Sequence, residues 1–160
     1  MESKEEDLSD GSEQANKQDS FWCQLASTTT EQLAQQIPGS EVQKVSPSAL
    51  AYLGDAVYEL YVRMFYLLPP QRTETYHRLV VAQVRAETQA KILRSLTPHL
   101  VNTELEIVRR GRNAATGRPK RLEREIYQQA TSLETLIGYL YLTDSQRLTE
   151  LLQKLNLEKE

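Results

Sequence analysis

The stretch Ala49-Leu-Ala-Tyr-Leu-Gly-Asp-Ala-Val-Tyr-Glu-Leu-Tyr-Val-Arg63 decides how this chain is read. Ser46-Pro47, just ahead of it, is a helix start, because a serine hydroxyl caps free amides and proline suits the first turn. Leu50, Leu53, Val57, Leu60 and Met64 then recur at helical spacing until Pro69-Pro70 stops the helix. The spacing predicts one long helix with that stripe facing inward. Two residues sit badly in it. Gly54 costs a helix about 1 kcal/mol relative to alanine, a cost tolerated where something must approach the backbone closely. Asp55 is a poor helix former set beside the apolar stripe. Glu59 lies one turn on along the same face, where like charges repel. Arg63, a further turn on, offers Glu59 an ordinary salt bridge. Asp55 has no such partner in its own helix.

A second acid is equally out of place. In Ala130-Thr-Ser-Leu-Glu-Thr-Leu-Ile-Gly-Tyr-Leu-Tyr-Leu142, Glu134 is embedded in one of the most apolar stretches of the chain. An ionised carboxylate there needs a cation or hydrogen-bond donors. Gly138, one turn later, again permits close helix packing. Two helices packed through Gly54 and Gly138 bring Asp55 and Glu134 together, and two carboxylates at one spot suit a hard divalent cation, Mg2+ first. From spacing alone, two surface acids flanking a core are an equally good reading.

Working outward, the composition favours helices throughout. The chain has 160 residues, 39% hydrophobic and 26% charged, with only 6 glycines and 6 prolines. That length suits one domain with one core. A first helix is expected from about Thr30 to Gln36, stopped by Pro38-Gly39. A long third helix opens at Thr73 or Thr75 and ends at Pro98, with Val80, Val84, Ile92 and Leu96 inward. Thr103-Glu-Leu-Glu resembles a capping box with Glu106 at the third helical position, opening a short helix that carries Leu105 and Val108. Residues 111–120 read as a loop, with Gly111, Gly117 and Pro119. A helix follows from about Leu122 to Leu142. Asp144 then caps a last helix striped with Leu148, Leu151, Leu152 and Leu155. No segment alternates at period two, so the fold class expected is all-α.

Charge and cysteine usage narrow the function classes. The net charge is −3, but residues 1–20 carry −5 and the remainder +2, so an acidic tail hides a mildly basic domain. Residues 1–20 are expected to be a disordered tail and 21–160 the folded domain. The one cysteine, Cys23, excludes an intrachain disulfide and fits a reducing compartment. With no signal peptide and no run of membrane-spanning length, a soluble cytoplasmic protein is expected. Residues 109–124 hold Arg109, Arg110, Arg112, Arg118, Lys120, Arg121 and Arg124 against Glu123 alone, a local charge of +6. Such a segment contacts phosphates, with Asn113 reaching a 2′-hydroxyl or a backbone oxygen, or else is a solvated basic helix end that favours the dipole. The eight tyrosines, at helical spacing, are expected in the core or in dimer packing rather than as a stacking platform. His77 and His99 lack ligand spacing and read as surface or helix-end histidines.

Three motifs carry a family resemblance. Gly54 to Glu59, GDAVYE, resembles the signature of the ribonuclease III catalytic domain. Glu134 to Leu142, ETLIGYLYL, resembles that family's second acidic motif. Arg109-Arg-Gly-Arg-Asn-Ala114 resembles a loop of one subfamily, mini-ribonuclease III. The resemblance runs from about Ser46 to Leu142 in the expected order. It implies an all-helical homodimeric bundle without the double-stranded-RNA-binding domain of the larger enzymes, which agrees with the short segment after Leu142. It implies that Asp55 and Glu134 bind the catalytic Mg2+, with Mn2+ able to substitute. It also implies an endoribonuclease that cuts double-stranded RNA, one cut per strand, leaving 5′-phosphate and 3′-hydroxyl ends, and trimming of large-subunit (23S) ribosomal RNA precursor. Arg109, Arg110, Arg112, Asn113, Arg118, Lys120 and Arg121 are the expected RNA contacts. Two family acids are absent: the positions hold Ala51 and Thr131, as in the mini subfamily, so the carboxylate shell is thinner and water fills more of the octahedron. The competing functions are a non-catalytic RNA-binding or ribosome-associated protein on the same fold, in contact with ribosomal proteins, and a helical dimerisation adaptor.

Overall fold

The computed structural model describes residues 37–117 and 121–157. Among them every regular element is helical. The order is α1 (Gly39–Val42), α2 (Pro47–Tyr66), α3 (Thr73–Val84), α4 (Ala86–Leu96), a 3-10 turn (Thr97–His99), α5 (Asn102–Ala114), α6 (Arg124–Thr143) and α7 (Ser145–Gln153). The expected helix at Thr30–Gln36, the tail, Cys23, Arg118 and Lys120 lie outside the described residues. No described helix is long and apolar enough to cross a membrane.

Helix α2 starts as its sequence predicts: Ser46 Oγ accepts from the Ala49 amide at 3.2 Å and Pro47 is the first helical residue. Its buried face is Leu50, Ala51, Gly54, Tyr58, Val62 and Tyr66. The expected stripe is therefore displaced. Leu53, Val57 and Met64 are only half-buried, and Leu60 is 53% exposed. The contact line follows the glycine, where the backbone approaches its neighbour most closely, rather than the largest aliphatic side chains.

That neighbour is α6, which lies at the centre of the bundle and packs against α2, α4, α5 and α7. The α2–α6 crossing is made by backbone. A Cβ added at Gly54 would lie 1.7 Å from the Glu134 carbonyl oxygen, and one added at Gly138 would lie 2.0 Å from the Leu50 carbonyl oxygen. A third glycine seats α5 on the same helix. A Cβ at Gly111 would lie 2.5 Å from Thr135 Oγ1 and 3.2 Å from Ser132 Cα. Gly111 is thus a helical packing residue, and α5 runs on to Ala114, so only the stretch from Ala115 onward is loop. Ser132 and Thr135 are buried without cost because their hydroxyls donate, each at 2.7 Å, to the Gln128 and Thr131 carbonyls one turn back.

The long third helix is two helices, broken at Arg85, whose ψ of 151° is extended. No glycine or proline marks the break. Side chains beyond it satisfy the carbonyls it frees: Thr88 Oγ1 donates to Ala82 O at 2.7 Å and Gln89 Nε2 donates to Val84 O at 2.9 Å. The break lets α3 pack on α2 while α4 packs on α6. Val80 and Leu96 are buried, and Val84 and Ile92 half-buried, as expected.

Helix α5 starts two residues earlier than expected, at Asn102, and Glu104 rather than Glu106 reaches back, accepting from the Val101 amide at 3.0 Å. Ile107 is the buried apolar residue, whereas Leu105 is 37% exposed and Val108 half-buried. Asp144 caps α7 by accepting from the Arg147 amide at 2.9 Å, and Leu148, Leu151 and Leu152 are buried. Arg147 ties α7 to α5: its Nε donates to Glu104 Oε1 at 2.7 Å and its Nη2 to the His99 carbonyl at 2.7 Å. Of the tyrosines, Tyr58 and Tyr66 are core, while Tyr52 is 86% exposed, outside any core role.

Two outcomes are expected in urea denaturation. Gly54→Ala should destabilise the protein by about 2 kcal/mol or more, because overpacking outweighs the roughly 1 kcal/mol gain in helix propensity. Gly117→Ala, where an added Cβ would meet nothing nearer than 3.7 Å, should change stability by less than about 0.5 kcal/mol. Equal stability of the Gly54 variant and wild type would refute backbone-to-backbone packing. Arg147→Met should cost about 3 kcal/mol, since it strands the buried Glu104 carboxylate. The Arg147 hydrogen bond, more than any other cause, holds the Glu104 pKa below its ordinary 4.5. That contribution is present above pH 4.5 and is lost as the pH falls through the lowered value. The variant's deficit should therefore shrink on acidification.

Candidate active site

The backbone crossing of α2 and α6 decides what else meets there. Asp55 follows Gly54, and Glu134 is the residue whose carbonyl lies against Gly54. Their side chains are close enough for the Asp55 charge to act on Glu134. The two acids that the sequence singled out are thus brought together, across 79 positions of chain.

Their environments differ. Asp55 opens to solvent, yet packing around its carboxylate raises its pKa above 3.8, and the Glu59 charge raises it further. Glu59 is itself paired: Arg63 donates to its Oε1 through Nε at 3.1 Å and also through Nη2. The i,i+4 salt bridge predicted from the sequence is therefore present. Glu134 is half-buried. Burial first, then the Asp55 charge, push its pKa up to about 7, and a donor interaction from the Gln89 side chain pulls it partway back. No basic side chain contributes to lowering it.

Gln89 was not legible as a site residue. It sits on α4, 2% exposed, with Nε2 on the Val84 carbonyl. Its Oε1 is buried and accepts from no described group. A glutamine in a helical sequence carries no signal of burial, and the helix break that anchors it was not foreseen. The positions of the two absent family acids are plain: Ala51 is buried, and Thr131 supplies a carbonyl to the Thr135 hydroxyl.

A divalent cation fits this pair. The Asp55 charge raises the cost of ionising Glu134, and an amide rather than a lysine or arginine stands beside the half-buried Glu134. A cation would remove the repulsion that the protein leaves uncompensated. Among the described residues no group of three or more His, Cys, Asp or Glu side chains assembles, so a two-carboxylate site is what the chain offers and His77 and His99 add nothing to it.

The basic residues lie on the next helix. Gly111 seats the end of α5 against Ser132 and Thr135, the same stretch of α6 that carries Glu134. Arg109, Arg110, Arg112 and Asn113 project from that end and are exposed, as is Arg121 beyond the loop. Arg112 and Asn113 stand on the last turn of a helix, not in a loop. Arg109 is held by Glu106 through bonds of 2.9 and 2.6 Å, so its charge is partly neutralised. Arg110, Arg112 and Arg121 are in no ion pair among the described residues.

Comparison with known proteins agrees with the geometry. The sequence profile of the ribonuclease III domain matches residues 48–145. A mini-ribonuclease 3 of Synechocystis sp. is 62% identical over 116 residues, covering 72% of this chain and 81% of the relative. One from Thermosynechococcus vestitus is 53% identical over 125 residues, covering 78% and 83%. In a crystal structure of a Fusobacterium nucleatum protein, the match has a TM-score of 0.64 at 30% identity and covers 68% of this chain and 90% of that one. The matched span contains both acids, both glycines of the crossing and the arginine-rich helix end, and the chain therefore belongs to the ribonuclease III family, in its mini-ribonuclease III branch, and is an endoribonuclease.

Proposed function

We propose that the chain cleaves double-stranded RNA by hydrolysis, with Mg2+ held between Asp55 and Glu134. The observation that carries this reading is the pairing of Glu134, half-buried and without a basic neighbour, with Asp55. Water adds to phosphorus and the bond to the 3′ oxygen breaks, leaving a 3′-hydroxyl and a 5′-phosphate. Bound Mg2+ supplies the Lewis acidity that polarises the phosphate and acidifies the attacking water. Asp55 and Glu134 bind and orient the ion. Glu59, held by Arg63, adds negative charge near Asp55 without being a ligand.

RNA selection falls to the end of α5 and the segment beyond it. Arg110, Arg112 and Arg121 offer charge to phosphates, Asn113 reaches a 2′-hydroxyl, and Arg109 joins them once released from Glu106. Arg118 and Lys120 belong to the same stretch of sequence. Duplex RNA is recognised through shape, phosphate and 2′-hydroxyl contacts, which suits such a set. Two chains act as a homodimer, one site per strand. Support for this comes from α2, where Tyr52 and Leu60 are 86% and 53% exposed and, with Ala56 between them, form an outward stripe beside Asp55. The substrate in this reading, taken from the mini-ribonuclease III resemblance, is a ribosomal RNA precursor of the large subunit.

The deciding experiment is cleavage of a labelled RNA duplex with Mg2+. Wild type should cut, while Asp55→Asn and Glu134→Gln should bind the duplex but cut about 100-fold more slowly or not at all. Binding without cutting by wild type, in Mn2+ as well as Mg2+, would favour the RNA-binding protein over the nuclease. A pH dependence follows from Glu134. Its folded pKa of about 7 exceeds the ordinary 4.5, so the metal-free protein gains stability from the protonated form at low pH. That gain is lost as the pH rises from 4.5 to about 7, while Mg2+ binding, which needs the ionised form, strengthens over the same interval. The stabilisation that Mg2+ confers in urea should therefore be larger at about pH 8 than at about pH 5. Equal stabilisation at both would refute the assignment of Glu134 to the metal.

A further inference from the structure

We infer that Gln89 is a positioning residue for the metal site, holding Glu134 in place with its amide nitrogen and offering Oε1 to the water shell of the cation. The inference rests on the reading of Asp55 and Glu134 as metal ligands and deepens it. Four observations support it. Gln89 is 2% exposed, on a helix that packs directly against the one bearing Glu134. Its Nε2 is fixed on the Val84 carbonyl at 2.9 Å, a carbonyl left free by the break at Arg85. The same side chain lies close enough to the Glu134 carboxylate to favour its ionised form. Finally, Oε1 is the buried side-chain polar atom that no described group satisfies.

An amide nitrogen has two hydrogens, so one can secure the side chain to the backbone while the other orients the carboxylate. This is how a partner of a metal ligand fixes its orientation. The unmet acceptor is the informative part. Leaving a buried oxygen unpaired is unfavourable, and a leucine or methionine would fill the same space without that cost. The amide plane holds Oε1 beside Nε2, on the side chain that acts on Glu134. With two protein carboxylates as ligands, a six-coordinate ion keeps several waters, and these are donors. Oε1 is then satisfied when the ion is bound. The helix break has a function in this arrangement, since it supplies the carbonyl that anchors the amide.

The test is binding of Mn2+ alone to the full chain, followed by the loss of the free-ion paramagnetic resonance signal. It compares wild type, Glu134→Gln, Gln89→Met and the double variant. Methionine conserves volume and removes every hydrogen bond. Gln89→Met should weaken Mn2+ binding by about tenfold or more, and should have no further effect when Glu134 is already Gln. Unaltered Mn2+ binding by Gln89→Met, with Glu134→Gln impaired, would overturn the role of Gln89 and leave the metal site standing. Equal binding by wild type and Glu134→Gln would overturn both. If the methionine variant does not fold cooperatively, Gln89→Asn serves instead. It keeps a buried amide but withdraws it by one methylene, and wild-type Mn2+ affinity in that variant would equally overturn the inference.

Discussion

The rest of the molecule depends on one contact, the crossing of α2 and α6 at Gly54 and Gly138, where two backbones touch. Helices normally pack 8–10 Å apart because side chains separate them. Here there is no room for even a methyl group at either position. The close approach makes α6 a central post whose small residues accept α5 through Gly111 in the same manner. It also fixes the function-bearing geometry, because Asp55 follows one glycine and Glu134 supplies the carbonyl against which that glycine rests.

The crossing stabilises the bundle and sets up a local electrostatic penalty. Bringing Glu134 into a partly buried position beside Asp55 disfavours its ionisation, and the chain supplies a glutamine amide rather than a cation to relieve it. Other carboxylates of the fold are neutralised. Glu59 has Arg63, Glu106 has Arg109, and the buried Glu104 has Arg147. The contrast sets these structural carboxylates apart from the Asp55–Glu134 pair, which the proposed function assigns to a metal ion. Unfavourable local electrostatics left at one place, where other carboxylates of the fold are paired with arginine, is a usual physical mark of a functional site.

Much of this was legible in the chain itself, for reasons that can be traced to particular residues. Ser46-Pro47 and Asp144 announce helix starts because capping is a local interaction that needs no partner from elsewhere. Gly54 and Asp55 stand out because neither suits a helix interior, so each must answer to something beyond it. The displaced apolar face of α2, the break at Arg85 and the burial of Gly111 were not legible. In each case a contact with another helix overrode local preference. Leu60 lost its place in the core because the crossing turns α2 on Gly54. Arg85 leaves the helical conformation because α3 and α4 pack on different partners, and the side chains that stabilise the break, Thr88 and Gln89, look like ordinary helix residues.

By itself, then, the sequence determined that the chain is all-helical, where most helices begin, and which two acids are anomalous. These properties arise from interactions within a turn or two of chain, or from a residue's unsuitability for its own helix. The tertiary structure alone decided that Glu134 is the half-buried member of the pair, that the arginine-rich end of α5 is seated on its helix, and that Gln89 stands beside it. Those facts depend on which surfaces of distant segments come into contact, and that is set by packing across the whole bundle.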